Sequence, residues 1–66
     1  MSAPTPQEIG IHALAKAVEY ADKADLYANA TYSSVQQNAA HIAIYGDLAT
    51  VYADIAKAAA LTADNA

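Results

Sequence analysis

Apolar side chains recur every three or four residues along most of this chain, which is the period of an amphipathic α-helix, and they do so on two neighbouring stripes. Between Gln37 and Thr62 one stripe reads His41, Ile44, Leu48, Val51, Ile55 and Ala58. The other, one position on, reads Ile42, Tyr45, Ala49, Tyr52, Ala56 and Ala59. Between Pro6 and Thr31 the same doubling sets Ile11, Leu14, Val18, Ala21, Asp25 and Ala28 beside Ala13, Ala17, Tyr20, Ala24, Tyr27 and Thr31. At about 100° per residue, two such stripes cover more than half of a helix. One helical partner cannot cover that much, so the pattern predicts two helices that need a further partner.

Local signals set the boundaries. Residues 1–5 are expected to be a disordered tail. Thr5-Pro6-Gln7-Glu8 combines a threonine cap, proline at the first helical position and glutamate three residues after the cap. A first helix over 6–31 follows, with Gly10 costing about 1 kcal/mol relative to alanine. On its polar face Glu19 precedes Lys23 by four residues, the spacing of a helical ion pair. The pattern breaks at 32–34 without glycine or proline, and Ser33 with Gln36, or Ser34 with Gln37, supplies a second cap. We place a turn at 32–34, a second helix at 35–62 and a frayed tail at 63–66. One continuous helix is the competing reading.

A turn centred on residue 33 implies that facing positions of an antiparallel hairpin have numbers adding to about 66. On the first stripes this sets Ile11 against Ile55, Leu14 against Val51, Val18 against Leu48 and Ala21 against Ile44. It also sets Asp25 against His41. The aliphatic stripes are therefore expected to close the hairpin. The second stripes are then expected to face outward with Tyr20, Tyr27, Ile42, Tyr45 and Tyr52 as an interface, because tyrosine joins large contact area to a polar tip. Two hairpins joined by these faces make an all-α four-helix bundle, with a homodimer favoured.

Composition sharpens this picture. Nineteen of the 66 residues are alanine, which favours helix but buries little area. A chain this short has a marginal core, so self-association or another protein partner is expected. Cysteine is absent, which excludes disulfides and thiolate metal sites. A net charge of −4 with three lysines and no arginine argues against nucleic acid as a partner. No apolar run approaches a membrane span and no basic, then apolar, leader is present, so a cytoplasmic location without membrane contact is expected. The alanine-heavy, lysine-poor composition suggests a high-GC bacterium or its phage.

Asp25 and His41 are the one acid and base that the pairing brings together. A carboxylate orienting an imidazole begins a triad or a metal site. No cysteine nucleophile accompanies them, and the Glu-x-x-His pattern of di-metal bundles is absent. We expect a structural polar pair that fixes register, with no catalytic residue, no metal and no cofactor. His12 is expected on the surface, and Gly10 has no glycine-rich neighbours that would make a phosphate loop.

The expected architecture is similar to the plasmid copy-number regulator Rop, a hairpin that dimerises into a four-helix bundle, in shape and length only. In hairpin shape and alanine content it is also similar to the small secreted hairpins of the mycobacterial type VII export system, but both motifs of that family are missing: Tyr32-Ser33-Ser34 stands where those have Trp-x-Gly, and none of the five tyrosines has an acid four residues later. The function expected from the residues is protein–protein interaction without enzymatic activity, as adaptor, inhibitor or assembly unit. The alternative is a regulatory or sponge-like binder that holds a small ligand in a tyrosine-lined pocket at the oligomer interface.

Overall fold

In the computed structural model of this chain, residues 3–29 and 35–64 are described. They form two helices, α1 (Pro6–Ala28) and α2 (Val35–Asp64), packed on each other, with no strand among the described residues. The Thr5 hydroxyl accepts the Glu8 amide at 3.2 Å, and the Glu8 carboxylate accepts from both the Thr5 amide and hydroxyl. Two of the amides that a helix start leaves unpaired are thus satisfied reciprocally.

Helix α1 ends at Ala28, three residues before the expected boundary. Asn29 explains why: its backbone amide returns to the Asp25 carbonyl at 3.0 Å, and its side-chain amide donates to the same carbonyl and to the Asp25 carboxylate. Helix α2 spans Val35–Asp64, beginning where the described residues resume after 30–34, and it runs two residues further than the periodicity suggested. Ala58, Ala59, Ala60 and Ala63 fall in its last two turns, and alanine needs no tertiary contact to favour helix. The turn placed at 32–34 lies outside the described residues.

The helices run antiparallel with a register a few residues above the expected one: Tyr20 with Tyr45 and Asn38 with Tyr27 add to 65, but Gly10 with Ala59 add to 69 and Tyr20 with Tyr52 to 72. Their rotation differs from the expected one. Among the described residues the buried ones are Ala13, Ala17, Asn38 and Ala59, all from or beside the alanine and tyrosine stripes, with Ala13 only 1% exposed. Ile11 is 71% exposed and Ile44 56%, and Leu14, Val18 and Val51 are also more than half exposed. The aliphatic stripes therefore do not close the hairpin. Small residues win the seam because they let the helix axes approach: a Cβ built on Gly10 would lie 3.3 Å from the Ala59 Cβ.

The resulting body measures 48 × 23 × 14 Å, the thickness of a single layer of helices. Domains ordinarily enclose a core between at least two packed layers. Here no large side chain among the described residues is fully buried.

Candidate functional site

One flank of the seam is a column of rings drawn alternately from the two helices. Tyr52, Tyr20, Tyr45 and Tyr27 stack in that order at centroid spacings of 5.7, 5.8 and 5.7 Å, with planes within 15° of parallel. His41 closes one end on Tyr27 at 4.6 Å, and His12 meets Tyr52 edge-on at 6.4 Å at the other. The sequence dictates this interleaving. Tyr20 and Tyr27 are two turns apart on α1, Tyr45 and Tyr52 two turns apart on α2, and a half-period offset lets each ring enter the gap between two on the opposite helix.

Lysines cover the column from the α1 side. The Lys23 ammonium lies 5.6 Å from the Tyr20 centroid and 5.5 Å from that of Tyr45, and Lys16 lies 5.9 Å from Tyr20. Such placements attract through the negative face of the ring. Lys16 also donates to the Glu19 carboxylate at 3.3 Å, which holds its pKa above the ordinary lysine value; the nearby tyrosines add to this. Glu19 therefore pairs backward with Lys16 rather than forward with Lys23.

These positions correct two expectations about the site. Tyr20, Tyr27, Tyr45 and Tyr52 were placed on a free outward stripe, but they are half-buried and stacked on one another inside the hairpin. Ile42 is half-buried as well. Asp25 and His41 were placed together, but the Asp25 carboxylate accepts from Asn29 at 2.8 Å while His41 stacks on Tyr27. The ion pair among the described residues is Lys16–Glu19. Rotation of both helices by about one residue position separates what the register alone had joined.

With the rings turned inward, the aliphatic side chains are divided between two faces. On the side away from the rings, Ile11 and Leu14 wall an open groove with Ala56, Ala60 and Ala63, which continues along Val18 and Ala21 opposite Ala49 and Ala53. We call this the alanine face. The 100° step of the helix puts Ile44, Leu48, Val51 and Ile55 on the opposite side, beside the column, where Ile9 and Ile55 border another groove. This is the tyrosine face. These three grooves are lined by aliphatic side chains, alanines and other small residues rather than by the rings.

Asn38 is the site residue that the periodicity did not single out. It is 8% exposed, and its side-chain amide donates to the Tyr27 carbonyl at 3.1 Å, one of the carbonyls that the end of α1 leaves without a helical partner. The usable signal was an asparagine near the start of α2 at the height of the end of α1. Among the described residues no group of three or more His, Cys, Asp or Glu could hold a metal ion, and no helix is long and apolar enough to cross a membrane. No family model matches this chain, and comparison with curated proteins and with solved structures gives no match.

Proposed function

We propose that this hairpin is a non-enzymatic interaction module that self-associates and acts as an assembly unit through protein–protein contacts. The observation that carries this reading is a single helical layer with aliphatic side chains exposed on both of its faces. Burying such side chains contributes roughly 1.5–3 kcal/mol each, so a lone hairpin leaves its largest stabilising term unused. The accessible surface supports the same conclusion. It is 4954 Å², whereas a compact monomer of this mass is expected to expose about 4,000 Å².

A second layer supplied by another hairpin gives the four-helix bundle, the simplest closed form of such a unit. Light scattering on the folded protein at micromolar concentration tests the proposal. A mass of two chains or more, with helical circular dichroism, is expected. A helical monomer that remains monomeric at hundreds of micromolar would overturn it.

A further inference from the structure

We propose that the second copy docks on the tyrosine face about a two-fold axis parallel to the helices, so that Lys16 and Lys23 of each chain pair with Asp54 and Asp47 of the other. This rests on the self-association proposed above and names the face, symmetry and charges that accomplish it.

The tyrosine face is electrically lopsided. Its α1 edge carries Lys16 and Lys23, seven residues apart, lying over the rings. Its α2 edge carries Asp47 and Asp54, also seven apart and both exposed. Asp47 follows Ile44 by three residues and precedes Val51 by four, and Asp54 follows Val51 by three. Both acids therefore flank the aliphatic stripe on its side away from the seam. Neither acid forms an ion pair within the hairpin, where the pair among the described residues is Lys16–Glu19. An ammonium has three donors, so Lys16 can keep Glu19 and still reach a second carboxylate.

Height along the hairpin turns this asymmetry into a docking rule. Tyr20 stacks on both Tyr45 and Tyr52, so residues at one level have numbers adding to between 65 and 72. Lys16 with Asp54 and Lys23 with Asp47 each add to 70. The two bases are thus level with the two acids, on opposite edges of the same face. A two-fold axis parallel to the helices preserves height while exchanging the edges. It sets α1 of each chain beside α2 of the other, every neighbour antiparallel, and produces four base–acid pairs around Ile44, Leu48, Val51 and Ile55 from both copies. The alternating four-and-three spacing of those residues is the spacing of interlocking helical seams. The alanine face offers no such match, because Asp22 and Asp25 lie about three to four turns from the level of Lys57.

Charge exchange tests this directly. The variants K16E/K23E and D47K/D54K each place like charges opposite one another in their own dimer, and each is expected to fall to the mass of one chain at concentrations where wild type is dimeric. Mixed one to one, they present opposite charges at all four contacts. A dimer at least tenfold tighter than either variant forms alone is expected, read by light scattering or analytical ultracentrifugation. Val51→Lys on the tyrosine face is expected to dissociate the wild-type dimer, and Val18→Lys on the alanine face to leave its mass unchanged. The inference falls if both charge variants stay dimeric alone, if mixing adds no association, or if Val18→Lys dissociates the dimer and Val51→Lys does not. Self-association itself would survive each of those results, whereas a monomeric wild type would remove it.

Discussion

Gly10 and Ala59 are in such close apposition that a methyl group on the first would sit 3.3 Å from the methyl of the second. Gly46 has nothing within 4 Å of the same virtual atom. Glycine within a helix costs roughly 0.5–1 kcal/mol relative to alanine. Gly46→Ala is therefore expected to raise stability by about that amount, a few degrees in melting temperature for a chain this short. Gly10→Ala is expected to gain much less, because Ala59 must give way. Gly10→Val is expected to destabilise by about 1–3 kcal/mol through overpacking. Thermal and urea unfolding of the three variants checks the order.

Asn38 ties the start of α2 to the end of α1 through the Tyr27 carbonyl. Asn38→Ala removes a hydrogen bond and leaves a carbonyl poorly paired, at a cost of about 1–2 kcal/mol. Gln36→Ala, at an exposed position on the same turn, is expected to stay within about 0.5 kcal/mol of wild type. Equal effects in urea unfolding would deny Asn38 its role.

The ring column predicts which tyrosine substitutions the fold tolerates. Tyr20 contacts rings on both sides, Tyr45 and Tyr52. Tyr20→Phe keeps both stacks and is expected to cost under about 1 kcal/mol, whereas Tyr20→Ala loses both stacks and the buried ring area, about 3–5 kcal/mol. Tyr45→Glu is expected to unfold the hairpin rather than merely separate two copies, because Tyr45 stacks between Tyr20 and Tyr27. Retention of full helical signal in a monomeric Tyr45→Glu variant would contradict this placement.

His41 offers a sharper comparison, since it stacks on Tyr27 and not on Asp25. In double-mutant cycles Tyr27 and His41 are expected to couple by about 0.5–1.5 kcal/mol. Asp25 and His41 are expected to couple within the error of about 0.3 kcal/mol typical of independent sites. The reverse ranking would restore the acid–base pair.

Much of the fold was legible in the chain, and the part that was not has a definite cause. Thr5-Pro6-Gln7-Glu8 announced the start of α1, because its side chains satisfy each other locally without tertiary help. The sum of 66 gave the antiparallel register to within a few residues, because heights along a hairpin follow from the position of its turn. It could not give rotation: the two stripes of each helix differ by one residue, so both seams share the same heights and differ only by about 100° about each axis. Aliphatic area favoured one seam and close approach the other. Gly10, treated in the sequence as a cost, was the visible clue to the second. With Ala13, Ala17 and Ala24 on α1 and Ala56 and Ala59 on α2, it draws a line of small side chains along which two helices can meet.

The ring column also gives the molecule a built-in optical reporter. The chain has no tryptophan or phenylalanine and five tyrosines, and four of those tyrosines are coupled in one stack whose members alternate between α1 and α2. Near-ultraviolet dichroism from that stack appears only when the two helices close on each other within one chain. Hydrodynamic mass changes only when chains meet. A dilution series followed by both signals therefore separates closure from assembly without any added label, and shows in which order they occur.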